Sequence, residues 1–396
     1  MSKKWEYYKN NKEEAQKLEK EYKINKLLAN ILANRGIGTE EAKVFLNPTR
    51  KDFHNPFEMP DMEKAVERIL KAKENNEKII IFGDYDVDGI TSITVLKSFL
   101  KDIGIECSQY IPNRLNEGYG LNKEAIKKIA EEKYTLMITV DCGITGIKEI
   151  EYAKQLGIET IVTDHHETTN ELPNAIAVID CKRKDNKYPF RELAGVGVVF
   201  KLTQAIGMKL GIPEKEYLKY LDIVALGTIS DIVPLIDENR VITKLGLMLM
   251  ANTKNYGLKA LIDAAGYGKI DSISISFGVA PKINACGRMG SANDALQLLL
   301  SKNMEEATEK LSDIIQFNNH RQTLEKNIYN EAIEQIQEKN LENVSSIVLG
   351  GYNWHSGVIG IVASKITELY FKPCILICFD KESEIGKGSG RSIPRI

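Results

Sequence analysis

Histidine is scarce in this chain, five among 396 residues, and the six cysteines (Cys107, Cys142, Cys181, Cys286, Cys374, Cys378) include no CxxC pair. Without that spacing neither a zinc knuckle nor a disulfide framework is indicated, and the thiols read as small buried residues in a reducing compartment. An excess of basic charge is missing too. The formal net charge is -2, which excludes a generally cationic nucleic-acid coat but leaves room for a local basic stripe. No apolar run is long enough to cross a bilayer, and the N-terminal MSKKWEYYKNNKEE is too polar for a signal peptide, so no membrane association and a cytoplasmic location are expected. Internal repeats and low-complexity segments are absent. What remains, 43% hydrophobic and 27% charged residues, is an ordinary globular composition with room for two or three domains.

The pattern along the chain is α/β. Residues 1–50 read as a charged helical segment in which LLANILANRGI is amphipathic, followed by the NPTR break. After a loop, HNPFEMPDM, and a helix around 62–75, apolar strands alternate with helices: IIIF, a helix near 91–103, TLMITV, a helix near 146–156, ETIVT and AIAVI. Near-continuous apolar strands between helices predict a parallel sheet covered on both faces, within a domain spanning 51–293. From Val198 to Leu300 the pattern is mainly helical. Residues 294–340 are amphipathic, with Leu311, Ile314, Ile315, Leu324, Ile328 and Ile336 at helical spacing, and are expected to form one helix joining two domains. Residues 341–396 begin a second, smaller α/β domain, with SSIVLGG and CILICF flanking a helix from about Gly360 to Tyr370. The final GKGSGRSIPRI offers no strand or helix to close it, so this domain is expected to be incomplete.

Chemistry is concentrated where strands end. In IIIFGDYDVDGITS an apolar strand runs into Asp84, Asp86 and Asp88, and three neighbouring carboxylates need a compensating cation to stay ionised together. The run begins like a calcium-binding EF-hand loop, but its twelfth position is Val95 where a bidentate Glu belongs, and a strand precedes it where a helix belongs. Further on, TLMITV leads to Asp141, ETIVT to Asp164, His165, His166 and Glu167, and ALGTIS to Asp231. Parallel strands bring their carboxyl ends to one edge, so these clusters converge. A single Asp after a strand is usually a helix cap or turn residue. Four acidic loops on one edge, one carrying paired histidines, exceed what capping explains. Hard oxygen ligands suit magnesium, manganese or calcium, and Asp with His around a shared carboxylate suits two divalent cations held close together. No serine or cysteine nucleophile is signalled. The glycines of LAGVGVVF do not make a dinucleotide fingerprint, because Phe200 stands in the third glycine position.

DYDVDG, VDCG, TDHH and the SD ahead of a Pro resemble the four metal motifs of the DHH phosphoesterases. Within that superfamily, IPNRLNEGYGL (111–121), LAGVGVVFKL (193–202) and PKINACGRMG (281–290) resemble the RecJ single-strand-specific exonucleases, while GYNWHSGVIGIVASKI and GSGRS resemble the associated DHHA1 domain. The resemblance runs from about residue 30 to the end. It implies Asp84, Asp86, Asp88, Asp141, His165 and Asp231 as ligands of two Mn2+ or Mg2+ ions, with Asp84 also catalytic. Phe82 stands where other branches carry a histidine, consistent with Asp84 as ligand. His166 is implied at the scissile phosphate, with Asp164 orienting the neighbouring histidine. Arg288 is implied to neutralise phosphate; seen alone it reads equally as a surface salt bridge. Ser389, Gly390, Arg391 and Ser392 fit a backbone-phosphate cradle, although SGRS alone reads as a flexible turn. His355 is placed to reach a phosphate, beside Trp354, which alone reads as core. Arg114 and Tyr119 approach substrate, turn packing being the plainer role for Tyr119.

The implied activity is 5′-3′ hydrolysis of single-stranded DNA by a two-metal mechanism in recombination and repair. The implied partners are single-stranded DNA, a single-strand-binding protein and a helicase, the chain itself being monomeric. A DHH phosphodiesterase acting on short oligoribonucleotides or cyclic dinucleotides is the nearest alternative. A non-catalytic nucleic-acid scaffold is the other, and it predicts eroded acidic motifs, which this chain does not have. RecJ-type chains ordinarily add an oligonucleotide-binding OB-fold, so weak binding of long strands is expected here.

Overall fold

The computed structural model describes residues 11–380 and 385–393. The remaining positions of the 1–50 and 341–396 segments lie outside the described residues. Three short helices, Lys12–Tyr22, Lys26–Asn34 and Thr39–Leu46, open the chain. They share a small core around Leu18, Leu32 and Ala42, and Glu14 ties the third to the first by accepting from Thr39 N–H at 2.8 Å.

A parallel sheet follows, in the order β2-β1-β3-β4-β5. Its strands are β1 (Ile79–Gly83), β2 (Cys107–Tyr110), β3 (Leu136–Val140), β4 (Glu159–Asp164) and β5 (Ala177–Asp180). The unbroken apolar runs are explained by the two cores they serve, because successive strand side chains point to opposite faces. Ile79 and Ile81 join Leu136, Ile138 and Ile161 beneath the helices Met62–Glu74, Val87–Asp102 and Gly195–Lys209. Ile80 and Phe82 join Met137 on the other face, under the helices Lys123–Glu131 and Ile147–Gln155. The edge strand β2 has no apolar signature: CSQY is only half-buried and is held by its register with β1, Ile79 opposite Cys107.

The stretch expected as one helix over 294–340 is broken. A helix ends at Leu299, and a second, Met304–Glu338, starts afresh at Asn303, whose side chain accepts from Glu306 N–H at 2.9 Å. A side-chain cap of this kind satisfies an otherwise orphaned amide and fixes the start of the helix. Its first half contributes Ala307, Leu311 and Ile314 to the main core. Its second half contributes Ile328, Ala332 and Ile336 to a separate core beneath the helix Ile359–Tyr370.

That second core is closed by a sheet of order β6-β7-β8, comprising β6 (Ile347–Gly351), β7 (Cys374–Phe379) and β8 (Gly386–Arg391). Here the structure corrects the expectation of a flexible turn with no closing strand. GKGSGR pairs antiparallel with β7, Arg391 opposite Cys374 and Gly386 opposite Phe379. A glycine- and lysine-rich edge has little strand propensity of its own; its pairing partner supplies the conformation.

Candidate metal centre

The loop after β1 folds back because Asp86 caps the helix Val87–Asp102, accepting from Asp88 N–H at 2.9 Å and Gly89 N–H at 3.2 Å. Asp88, inside that first turn, aims its carboxylate at the start of the helix Gly195–Lys209. There Oδ2 accepts from Gly195 N–H at 2.6 Å and Oδ1 from Val196 N–H at 2.8 Å. The glycine is required by space: a Cβ on Gly195 would stand 2.7 Å from Asp141 Oδ1. Gly195 of LAGVGVVF thus serves the carboxylate cluster, a role that dinucleotide templates do not bring to light, while Gly197 makes room for Leu193.

Asp141, directly after β3, holds a left-handed backbone with φ 57°, unusual for a residue with a side chain and commonest at functional sites. His165 Nε2 lies 3.1 Å from Asp141 Oδ1, 3.7 Å from Asp88 Oδ2 and 3.7 Å from Asp231 Oδ2. Two groups of potential ligand atoms, Asp84 with Asp86 and Asp141, and Asp88 with His165 and Asp231, each fall within 4.8 Å. All six positions singled out as ligands are therefore brought together. Asp141 and His165 stand at the junction, and a third group joins them to His166.

These carboxylates are poorly compensated by the protein. Burial, then the charge of Asp86, raises Asp84 to about 8 and Asp88 to about 7. Burial, then Asp88, raises Asp231 to about 7, and burial with Asp88 pushes Asp141 well above the carboxylate range. Burial lowers His165, which keeps it an imidazole, the form that ligates metals. Asp84 Oδ1 is buried without a hydrogen-bond partner. Such an atom is costly to leave unmade, and a hard divalent cation matches both it and the surrounding oxygen and imidazole donors.

Asp164 is different. Burial would raise it, but the hydrogen bond from His166 and the amides of Ile144 and His165 outweigh burial and hold it below the usual range. His166 Nδ1 lies 2.7 Å from Asp164 Oδ1, and that bond, against the opposing effect of burial, raises His166 to about 9. Tyr119 does not spend itself in turn packing: its hydroxyl lies 3.3 Å from His166 Nε2 and 3.4 Å from the Asp141 carbonyl.

Of the remaining singled-out residues, Arg114 and Ser389 line a cleft and the others lie outside its lining. Arg114 stacks over the Tyr85 ring, 5.0 Å from its centroid. Arg288 is no surface salt bridge. It is half-buried, donates to the Gly357 carbonyl at 3.2 Å, and is lowered to about 10 by burial and by the neighbouring Arg114 and Arg321 charges. Ser389 and Arg391 meet the first turn of the helix Ile359–Tyr370, since a Cβ on Gly360 would lie 3.0 Å from Ser389 Oγ and 3.1 Å from Arg391 Nη2. Gly390 offers its carbonyl to Arg391 at 2.7 Å, and Ser392 is exposed beyond the strand. His355 accepts from Gly357 N–H at 3.1 Å, and Trp354 is core, donating to Glu331 at 2.8 Å. A cavity of about 240 Å³ lies between Tyr85, Arg114 and Tyr119 on one side and Ser356, Gly357 and Ser389 on the other.

One carboxylate escaped the sequence reading. Asp180 ends β5 opposite Asp164, is fully buried with Oδ2 unpartnered, and is raised by burial to about 7. The signal is present in the sequence, because AIAVI leads to Asp as IIIF, TLMITV and ETIVT do.

Comparison with known proteins agrees with this geometry. The family model for the DHH family, N-terminal domain, matches residues 78–228. The single-stranded-DNA-specific exonuclease RecJ of Bacillus subtilis (strain 168) is 42% identical over 393 residues, 98% of this chain and 49% of that protein. RecJ of Escherichia coli (strain K12) is 34% identical over 93% of this chain and 66% of its own length. The chain thus spans about half to two thirds of these relatives. Among solved structures, exonuclease RecJ bound to manganese superposes with a TM-score of 0.76 at 34% identity, covering 85% of this chain and 83% of that one. RecJ in complex with Mn2+ from Thermus thermophilus gives 0.83 at 30% identity, covering 97% and 54%. The chain belongs to the RecJ family of DHH-domain proteins.

Proposed function

We propose that the chain is a single-stranded-DNA-specific exonuclease, hydrolysing phosphodiester bonds from the 5′ end with two divalent cations, Mn2+ or Mg2+, in recombination and repair. The observation that carries this reading is the convergence of Asp84, Asp86, Asp88, Asp141, His165 and Asp231, with their raised carboxylates and the unpartnered Asp84 Oδ1. When bound, the cations supply an activated water at neutral pH and neutralise charge at the attacking and leaving oxygens.

The chain's own residues do the rest. His166, protonated through its bond to Asp164, presents a positively charged donor where the scissile phosphate must lie. Tyr119 keeps that imidazole in place from the other side. Arg114 and Arg288 add charge at the cleft. Ser389, Gly390, Arg391 and Ser392, with His355 nearby, hold the strand's backbone from the second domain. A cleft walled by both domains excludes a duplex by width and tracks one strand by charge. The division at residue 50 is proposed on the separate cores of the N-terminal and catalytic units, and the boundaries at 293 and 340 are proposed to frame a connecting segment that serves two cores, Ala295 to Ile314 in the main one and Ile328 to Ile336 in the second. A monomeric state, a cytoplasmic location and partnership with a single-strand-binding protein and a helicase belong to the same proposal, supported by the family relationship and by the absence, among the described residues, of a membrane-spanning helix.

The test is digestion of a 5′-labelled single-stranded oligonucleotide with MnCl2, beside a duplex, a dinucleotide and the Asp141→Ala variant. Label released as mononucleotide from the single strand alone, and lost in the variant, is the expected result. Dinucleotide cleavage without oligonucleotide cleavage would instead assign the chain to the short-substrate phosphodiesterases.

A further inference from the structure

The second domain is joined to the candidate metal loop through two glycines whose value is their missing side chain rather than backbone freedom, for neither Gly287 nor Gly357 has a positive φ. Gly287 lies in the helix Ala280–Arg288, and a Cβ there would stand 2.3 Å from the carbonyl oxygen of Tyr85, the residue between Asp84 and Asp86. One residue on, a Cβ at Gly357 would stand 2.4 Å from the carbonyl oxygen of Arg288. The guanidinium of Arg288 closes the same contact from the other direction, donating to the Gly357 carbonyl at 3.2 Å. Three backbone segments, from the metal loop, the helix end and the second domain, therefore rest on one another at distances that only hydrogen permits. This seam borders the cleft cavity, in which Tyr85 and Gly357 face each other.

We propose that Gly357 is a positioning residue: by letting the second-domain loop rest directly on the Arg288 carbonyl, it fixes the spacing between the metal loop and the far wall of the cleft, and hence the grip on a strand that must touch both. The proposal rests on the single-strand reading of the cleft. A methyl group at 357 would require the loop to retreat about 1 Å, from 2.4 Å to the 3.4 Å of an ordinary contact. Because the opposing atom is backbone, no side-chain rotation relieves it. A displacement of that size at a substrate-holding wall costs up to roughly 100-fold. A small diester held by the metal loop alone does not feel it.

The experiment compares the full chain with Gly357→Ala and with Gly268→Ala, a glycine whose added Cβ meets nothing within 4 Å. In Gly357→Ala, KM for a 5′-phosphorylated single-stranded oligonucleotide with MnCl2 is expected to rise roughly 10- to 100-fold. Its kcat should stay near wild type, as should kcat/KM for bis(p-nitrophenyl) phosphate. Gly268→Ala should match wild type throughout. An unchanged oligonucleotide KM overturns the proposal, and so does an equal loss on both substrates, which would mark a merely structural glycine. Amide exchange reads the seam without any substrate: residues 285–290 and 356–359 should exchange faster in Gly357→Ala, while residues 84–88 keep their wild-type protection. If the wild-type chain cleaves no oligonucleotide, the single-strand reading fails, and exchange still decides the seam; unchanged protection sinks it.

Discussion

Replacing Asp84 by Asn should stabilise the metal-free protein and destabilise the metal-loaded one. Burial and the neighbouring Asp86 raise Asp84 from 3.8 to about 8. At about 1.4 kcal/mol per tenfold in the proton equilibrium, that displacement sets a ceiling of roughly 5–6 kcal/mol on what ionised Asp84 costs the folded chain. Water entry and relaxation bring the expected effect to about 2–3 kcal/mol. Because the folded pKa lies above the unfolded one, the stability contributed by protonated Asp84 is complete below about pH 4 and lost as the pH rises through about 8. Asn keeps the shape and an acceptor oxygen but cannot ionise. In EDTA at pH 8 the Asp84→Asn variant should therefore melt above wild type, by roughly 2–4 °C for a chain of this size, and the gap should narrow toward pH 5. With Mn2+ at a thousand times its Kd, wild type gains about 4.1 kcal/mol by mass action, and the variant, short of one ligand, does not. The melting order should then reverse. Thermal melts at pH 5, 6.5 and 8, with EDTA and with MnCl2, measure all of this. A variant that melts below wild type in EDTA at pH 8 would refute the reasoning, since the carboxylate would then be compensated by the protein itself.

Three further outcomes are expected. Asp164→Asn should drop the imidazole of His166 from about 9 toward its ordinary 6.5, because the bond to Asp164 is the largest cause of the rise; an NMR titration in EDTA reads this directly. Lys201 and Glu238 are fully buried and paired at 2.8 Å, so Lys201→Met should cost about 3–5 kcal/mol by leaving the buried Glu238 charge without its cation, although His54 N–H and Tyr188 still donate to it, with Lys201→Met/Glu238→Gln recovering much of it in urea melts. Ile232, next to Asp231, is 88% exposed with φ 63°, a conformation costing a β-branched side chain about 1–3 kcal/mol. Ile232→Gly should raise stability in EDTA by about 1 kcal/mol, and an unchanged or lower melting temperature there would refute stored strain.

The parts of the fold legible in the sequence are those where one residue type satisfies one physical demand. IIIF, TLMITV and ETIVT read as buried strands because both faces of the sheet need apolar side chains, Ile79 and Ile81 on one and Ile80 and Phe82 on the other. The strands β2 and β8 were illegible for the converse reason. CSQY and GKGSGR sit at sheet edges, where a neighbour's hydrogen-bonding groups fix the conformation and side chains need not. Asn303 likewise broke a run of helical periodicity that composition alone carried straight through.

The metal centre tests a harder kind of legibility, because its carboxylates also do what isolated carboxylates usually do. Asp86 is an ordinary helix cap, and Asp88 sits at the N-terminus of another helix. Capping therefore cannot be set against metal binding as an alternative; at these positions it is how the side chains are held. What capping does not explain is the remainder: Asp84 Oδ1 without a partner, Asp141 in a left-handed backbone, and carboxylates left so close together that they are raised by one another's charge as well as by burial. Each costs the metal-free fold stability, and the amides that reach the carboxylates, of Tyr85 at Asp84 and of Gly195 and Val196 at Asp88, offset only part of it. A pair of divalent cations would partner the orphaned oxygen and offset the mutual repulsion, and would give the left-handed backbone that aims Asp141 into the cluster its purpose, which makes the shared explanation stronger than any of the separate local ones.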